Sequence, residues 1–184
     1  MTSAVDPTAA ILDLVRHRPA RLGAGRLLSI EGPAGAGKSS LAAGLRQGFG
    51  AGSVVVAMDE LYDGWDGLAS LERQLDSLLL PLAADRCGRY RRYDWHAGRY
   101  AETVTVAPAD LLILEGVGSG LTAYDHLRTA LVFLDAPTAT RKQRALARDG
   151  DSFAPYWDRW AAAEADLFAR ERTRERADLV VPTG

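Results

Sequence analysis

Residues 29–40 read SIEGPAGAGKSS, and this stretch decides the fold. Gly32, Gly37, Lys38 and Ser39 fit the pattern G-x-x-x-x-G-K-[ST], which binds phosphates when a strand precedes it and a helix follows. Both neighbours are predicted, because the apolar run RLLSIE comes before the loop and KSSLAAGLRQGF, with leucines at helical spacing, comes after it. The sequence therefore predicts a phosphate-binding loop.

Each residue type in this loop has a chemical reason. Glycines let successive backbone N–H groups point inward, and the start of the following helix adds the positive end of its dipole. The lysine of the pattern reaches the β- and γ-phosphates, and the serine hydroxyl contacts Mg²⁺. We expect Lys38 to be an exposed loop side chain. The predicted ATP-binding residues of the loop are Gly35, Ala36, Gly37, Lys38, Ser39 and Ser40.

Four further segments resemble the strand before the loop. SVVVAMDE, LLILEGVG, ALVFLDAP and DLVVP are continuous apolar runs, as in strands buried on both faces. Helical stretches separate them, so we predict an α/β fold with a five-stranded parallel sheet flanked by helices, in a single domain over residues 1–184. Asp6 followed by Pro7 predicts the start of the first helix.

Acidic residues follow three of these strands. Ligands of an open parallel sheet collect at the carboxyl ends of its strands, so Asp59, Glu115 and Asp135 are expected to surround one crevice. We predict that Glu115 and Ser39 hold the magnesium ion, because such an ion usually needs a carboxylate from a neighbouring strand end. Asp59 is the candidate base that accepts a hydroxyl proton.

Three arginines follow the fourth strand. Arg141, Arg144 and Arg148 are spaced by three and four residues, so they share one face of a predicted helix. A short lid over residues 139–155 could lay these guanidinium groups across transferring phosphates, whereas a solvated basic face is the alternative.

Composition and charge narrow the function classes. The 184 residues carry a net charge of −2, which argues against a general nucleic-acid binder. The single cysteine, Cys87, excludes an internal disulfide. The sequence has no run of about 18 apolar residues and no secretory leader pattern, so we expect a cytoplasmic protein without membrane or nucleic-acid partners. Whether the protein forms a homo-oligomer is left open by the sequence.

Several segments together resemble the uridine kinases and their phosphoribulokinase and pantothenate kinase relatives, which share a P-loop kinase fold. MDELY (58–62) resembles the family's Asp-x-x-Tyr, YDWHAGR (93–99) its Tyr-Asp-aromatic segment, and VFLDAPTATRKQRALARDG (132–150) its strand and arginine-rich lid helix. ADLLILEG and RERADLVVP resemble two further strands of that family. The resemblance implies catalytic roles for Asp59, Lys38, Arg144 and Arg148, ATP contacts for Arg141 and Arg144, and substrate contacts for Asp59, Tyr62, Tyr93, Trp95, His96 and Arg148.

We therefore expect an ATP-dependent kinase, with Mg²⁺, that phosphorylates a hydroxyl of a nucleoside-like acceptor. A sugar or a pantothenate-like alcohol is an alternative acceptor, and a P-loop ATPase or nucleotide switch is an alternative function. The segment over residues 86–100, RCGRYRRYDWHAGRY, has no clear period; its arginines and aromatic rings could also bind single-stranded nucleic acid. A guanine-specific GTPase is disfavoured, because the sequence contains no Asn-Lys-x-Asp base reader.

Overall fold

The computed structural model describes residues 7–184, and a five-stranded sheet forms its centre. The predicted cap Asp6 lies outside the described residues. The strands of this sheet are β1 (Arg26–Glu31), β2 (Ser53–Ala57), β5 (Leu111–Glu115), β6 (Ala130–Asp135) and β7 (Leu179–Pro182). Their order is β2-β5-β1-β6-β7 and every neighbouring pair is parallel. All five predicted strands and their parallel arrangement are confirmed.

Helices cover both faces of the sheet. They are α1 (Pro7–His17), α2 (Lys38–Phe49), α3 (Leu71–Ala83), α4 (Thr138–Asp149), α5 (Trp157–Glu171) and the short α6 (Thr173–Arg176). Single turns of 3₁₀ helix span Met58–Glu60, Thr122–Tyr124, Gly150–Ser152 and Ala154–Tyr156, and a longer one spans Gly64–Ser70. No helix between residues 7 and 184 is long and apolar enough to cross a membrane.

Alternation along the strands divides the apolar core in two. Leu112 and Leu114 of β5 belong to one cluster with side chains of α3 and α5, whereas Leu111 and Ile113 belong to the other with side chains of α1 and α2. Successive side chains of a strand point to opposite faces, so a strand buried on both faces needs an uninterrupted apolar run. This is the pattern from which the strands were predicted.

A two-stranded antiparallel sheet, absent from the sequence prediction, packs beside α3. It consists of β3 (Gly88–Asp94) and β4 (Arg99–Val106), and we call it the hairpin. The Asp94 carboxylate accepts the backbone N–H groups of His96 and Ala97, and Gly98 has a φ of 61°, so the turn residues close the hairpin. The segment without a clear period is therefore regular structure.

Candidate active site

The phosphate-binding loop lies between β1 and α2, in the predicted context. Gly37 has a φ of 94°, a backbone conformation that favours glycine, and α2 begins at the next residue. A Cβ atom on Gly35 would lie 2.2 Å from the carbonyl oxygen of Arg141, so the loop and the start of α4 are in direct contact only because this residue is glycine. These two glycines therefore fix the shape of the loop.

The beginning of α2 supplies the predicted anion cradle. Backbone N–H groups in the first turn of a helix have no partner within that helix, and here they belong to Lys38, Ser39 and Ser40. The N–H of Ala36 donates instead to the carbonyl of Pro33 at 3.1 Å, and so shapes the turn of the loop. The backbone at this point fits a phosphate group, because the free N–H groups and the helix dipole coincide.

Lys38 is buried, which corrects the expectation of an exposed side chain. Its ammonium group donates to the carbonyls of Gly32 and Pro33 at 2.6 and 2.9 Å. Burial lowers the pKa of Lys38, and the nearby carboxylates of Glu31 and Glu164 oppose this shift. The lysine folds back because the carbonyls of its own loop give the ammonium group hydrogen-bond acceptors inside the cradle.

Ser39 and Glu115, the predicted magnesium ligands, are in contact. The Ser39 hydroxyl donates to Oε1 of Glu115 at 2.9 Å. Glu115 is buried at the end of β5, between Ile30 of β1 and Ala57 of β2 in the sheet register. Burial raises its pKa, whereas the serine and Lys38 oppose the rise. Two hard oxygen ligands at the mouth of the loop fit Mg²⁺, which usually takes one or two protein oxygens and completes its shell with water and phosphate.

Asp59 lies close to these groups, in the 3₁₀ turn that follows β2. Its side chain reaches solvent. Partial burial nevertheless raises the pKa of its carboxyl group, the negative charge of Glu60 raises it further, and the positive charge of Arg148 opposes the rise. The charges of Lys38 and Glu115 also act on it, so all these groups share one electrostatic environment. The roles of Asp59 as base, Glu115 as metal ligand and Lys38 as phosphate-binding lysine stay predictions.

Asp135, the third predicted member of the crevice, does not join it. Its carboxylate pairs with Arg174 of α6 at 3.1 Å, on the side of the sheet where β7 lies. The strand-end rule placed Asp135 at the correct edge of the sheet but did not show which way along the edge its side chain points.

The three arginines of α4 have different surroundings, although they were predicted to share one face. Arg141 is buried and donates to the carbonyls of Ala136 and Ala34 at 3.1 and 3.2 Å. Arg144 donates to the carbonyl of Thr183 at 2.7 Å. Arg148 is exposed and pairs with Asp149, and its charge acts on Asp59 and Glu115. Of the three arginines, Arg148 alone combines an exposed side chain with a charge that reaches the acids of the site.

The predicted substrate-side residues divide between core and surface. Tyr62 is buried, packs at a tilt against the ring of Trp160, and donates its hydroxyl hydrogen to the carbonyl of Val117 at 2.7 Å. Tyr93 packs edge-on against Trp95, whose indole N–H donates to the backbone carbonyl of Asp59 at 2.9 Å. His96 is exposed in the hairpin turn. Trp95 thus hydrogen-bonds to the backbone of the candidate base. Contacts of Tyr62, Tyr93, Trp95 and His96 with a substrate stay predictions.

Trp65, which was not predicted as a site residue, packs against Trp95. Trp65 packs between the hairpin and the turns that follow α4. Its ring stacks on Phe153 and Tyr156 with centroids 5.2 and 4.4 Å apart, and it also contacts Trp95. The sequence did offer one indication of its place, because Trp65 lies only three residues after the segment MDELY (58–62) that contains Asp59.

Two buried carboxylates were also missed. Glu31 accepts the backbone N–H groups of Gly118 and Gly120 at 2.8 and 2.9 Å, so it ties the loop after β5 to the end of β1. Glu164 of α5 accepts the N–H of Ala34 in the phosphate-binding loop at 2.9 Å. No sequence spacing indicates the second contact, because 130 residues separate the partners.

Comparison with known proteins agrees with this architecture. The sequence matches no protein-family model and no curated protein. Among solved structures, a protein named as a possible uridine kinase from Bacillus stearothermophilus superposes with a TM-score of 0.66 at 23% identity, covering 95% of this chain and 96% of that one. The chain has the fold of the P-loop kinases.

Two further P-loop kinase folds are similar. A protein named as a candidate fructose transport system kinase from a Silicibacter species has a TM-score of 0.61 at 22% identity, with 97% of this chain and 100% of that one covered. A D-glycerate 3-kinase from Cryptococcus neoformans has a TM-score of 0.52 at 13% identity, with 90% and 87% covered. The names of these three proteins indicate different acceptors. The acceptor of the present protein therefore has to be inferred from its own residues.

Proposed function

We propose that this protein is an ATP-dependent kinase that transfers the γ-phosphate of ATP to a hydroxyl group of a small, nucleoside-like molecule. The observation that carries the proposal is the contact of the Ser39 hydroxyl with the Glu115 carboxylate at 2.9 Å beside the phosphate-binding loop. The charges of Lys38, Asp59 and Arg148 act on the same carboxylate. An anion cradle with a base opposite it is the arrangement that phosphoryl transfer to an alcohol needs.

The first role of the site is to hold the donor. The N–H groups at the start of α2 bind the phosphates, and Lys38 leaves the carbonyls of Gly32 and Pro33 to meet them. Ser39 and Glu115 would hold Mg²⁺, which when bound neutralises charge on the phosphates. Arg148, on the exposed side of α4, would add positive charge over the transferring group.

The second role is to ready the acceptor. Asp59 accepts a proton from the attacking hydroxyl, and its partly desolvated carboxylate has a raised pKa that makes it a better base. The indole of Trp95 fixes the backbone of Asp59 and leaves part of its ring exposed. We propose that the exposed part of this ring, with Tyr93 packed edge-on beside it, offers an apolar surface to a base or sugar ring of the acceptor.

The acceptor is open within this proposal. Sugars and pantothenate-like alcohols present the same reacting hydroxyl, and the named structural neighbours include kinases of different acceptors. The function alternative is a P-loop ATPase or a nucleotide switch, in which water takes the place of the alcohol. That alternative uses the same donor site but needs no acceptor surface.

The test is a coupled assay of ADP release with MgATP across nucleosides, small sugars, glycerate and pantothenate, with a reaction lacking acceptor beside them. The proposal predicts that one class of alcohol raises the rate of ADP release well above the reaction without acceptor. An equal rate with every acceptor and with none would establish the ATPase alternative instead.

Lys38→Ala provides the control for this assay. Removing the ammonium group should abolish ADP release, because no other lysine lies in the loop. Since Lys38 is buried, the variant is first compared with the wild type by circular dichroism and thermal unfolding. Wild-type turnover by a folded Lys38→Ala protein would exclude the proposed donor site.

A further inference from the structure

An ion pair grips one residue of the phosphate-binding loop on both sides of its backbone. The N–H of Ala34 donates to Oε2 of Glu164 at 2.9 Å, and the carbonyl of the same residue accepts from Arg141 at 3.2 Å. Arg141 and Glu164 are themselves 3.3 Å apart. The arginine comes from α4 and the glutamate from α5, so two helices hold the loop through one alanine. We call these three residues the clamp.

The clamp is buried and its hydrogen bonds are complete. Glu164 is 2% exposed and Arg141 is 9% exposed. The other donors of Arg141 reach the carbonyl of Ala136 and the hydroxyl of Thr138, and among the described side chains no buried nitrogen or oxygen lacks a partner. Breaking a buried ion pair leaves an uncompensated charge, which makes this arrangement hard to disturb. Arg141 is therefore held at the base of α4.

The position of the clamp leaves the phosphate cradle open. It occupies the N–H and carbonyl of Ala34, whereas the cradle is built by the N–H groups that begin α2, from Lys38 onward. The loop touches α4 a second time at Gly35, where the backbone of Arg141 approaches too closely for any side chain. The clamp thus fixes the outer part of the loop without using the groups that bind phosphate.

We propose that Glu164 is a positioning residue of the nucleotide site: with Arg141 it clamps the Ala34 peptide and sets the loop in the shape that receives the triphosphate. The inference rests on the proposed donor site. Arg141 acts from this place and not as a mobile lid arginine, because reaching toward phosphates would break its pair with Glu164. The negative charge of Glu164 also favours the protonated form of Lys38. A loop held in its binding shape loses less conformational freedom when ATP binds.

The test compares ATP affinity in Glu164→Ala, Glu164→Gln and the wild-type protein by isothermal titration calorimetry. Glu164→Ala should weaken ATP binding by about 10- to 100-fold, the range typical when the outer-shell partners of metal ligands are removed. Glu164→Gln keeps an oxygen that can accept the Ala34 N–H but loses the charge that pairs with Arg141. Its affinity for ATP should therefore lie between that of the wild type and that of Glu164→Ala. The Gln variant also keeps the test decisive if the Ala variant fails to fold.

Glu171 gives a matched control on the same helix. Its carboxylate accepts the N–H and the hydroxyl of Thr122 at 2.9 and 2.7 Å, so it makes the same kind of contact to a different loop. Glu171→Ala should lower the melting temperature but leave ATP affinity unchanged. If the Glu164 variants also lose only stability and bind ATP like the wild type, Glu164 has a structural role alone and the clamp is refuted.

A double-mutant cycle with Arg141→Ala tests whether the two side chains act as one device. In the Arg141→Ala background, removing Glu164 should weaken ATP binding by less than threefold, because the clamp is already broken. Full additivity of the two effects would contradict the clamp. A wild-type protein that binds no ATP would refute the donor site itself, whereas wild-type binding with unaffected Glu164 variants refutes only the positioning role.

Discussion

Asp59 lies two residues beyond the end of β2, where its carboxylate reaches solvent between the charges of Glu60 and Arg148. A carboxylate at this place can exchange protons with water after each turnover, whereas the buried Glu115 is better suited to hold a metal ion. The two acids differ in burial, and this difference assigns their proposed roles.

Replacing Asp59 by asparagine should lower kcat by about 10² to 10⁴, because the amide keeps the shape of the side chain but cannot accept the hydroxyl proton. The affinity for ATP should stay near that of the wild type. Steady-state kinetics and calorimetry measure the two quantities, and Asp63→Asn, an exposed acid nearby in sequence, serves as the control. A loss of tenfold or less would instead give Asp59 a role in binding.

The buried carboxyl group of Glu31 should make the stability of the protein depend on pH. Burial raises its pKa to about 7, although the N–H groups of Gly120 and Gly32 oppose the rise. Its folded pKa exceeds the unfolded value near 4.5, so the folded protein binds more protons in between and its stability falls as pH rises from about 5 to 7. In Glu31→Gln this contribution is absent. The difference in unfolding free energy, wild type minus variant, should therefore decrease from pH 5 to pH 8 in urea titrations; parallel profiles would contradict the assignment.

Residues whose place follows from a strand end or a loop pattern could be predicted from the sequence. Ser39 and Glu115 were predicted to hold one magnesium ion, and their side chains are hydrogen-bonded to each other. Glu31 and Glu164 were not predicted, because each acts on backbone N–H groups of a distant loop, and the partner depends on how the helices pack. A carboxylate that accepts backbone N–H groups can pair with any residue type, so no sequence spacing predicts its partner.

At the scale of elements, α4 is anchored at its start and exposed toward its end. Arg141 in the first turn is buried, and Arg148 in the last turn is exposed. The 3₁₀ turns Gly150–Ser152 and Ala154–Tyr156 follow directly and lead into α5. The predicted lid over residues 139–155 thus has a fixed root, and any closing motion would concern its second half.

Arg148→Ala should therefore reduce kcat more than it reduces ATP affinity in the resting protein, because lid contacts matter most in the closed state. A loss of about 10²-fold or more in kcat is expected if the guanidinium stabilises charge in the transition state. Lys142→Ala is the control on the same helix, since its ammonium group is exposed and pairs with Asp158. Equal losses in kcat and affinity for Arg148→Ala would argue against a lid.

The hairpin shows where element prediction failed and why. In β3, Tyr90 is buried between the exposed Arg89 and Arg91, which is the alternation of a half-buried strand. A bulge between Arg91 and Tyr93 then shifts the register. One extra residue in a strand exchanges its two faces, so the apolar period that indicates a strand is lost over such a short segment.

At the scale of the whole molecule, the site assembles groups that lie far apart in the sequence but at one edge of the sheet. Strand β1, which leads into the phosphate-binding loop, is central in the sheet. Its neighbour β5 ends in Glu115, and its neighbour β6 is followed by α4. The fold could be predicted because five apolar strands and one loop pattern are enough to specify it. The acceptor could not, because it depends on side-chain packing in the hairpin and the turns after α4.

Ligand binding should stabilise the entire fold, because the loop, in the first quarter of the chain, is held by α4 and α5 from its last third. MgATP at 100 times its dissociation constant adds about 2.7 kcal/mol to the unfolding free energy. For a chain of 184 residues this corresponds to a rise of roughly 5–10 °C in melting temperature. Differential scanning fluorimetry measures the shift, and Lys38→Ala should abolish it. A shift that persists in that variant would place the nucleotide elsewhere.

The packing around Trp65 also has a practical consequence for optical work. The chain has four tryptophans, and Trp65, Trp95 and Trp160 are in ring contact, while the fourth, Trp157, packs on Phe153 beside them. The intrinsic indole emission therefore originates from the hairpin turn, the 3₁₀ segment Gly64–Ser70 and the start of α5, where Trp157 also lies beside Arg141. A stopped-flow recording of this emission, without any attached dye, would report events on the acceptor side while remaining blind to the opposite face of the sheet.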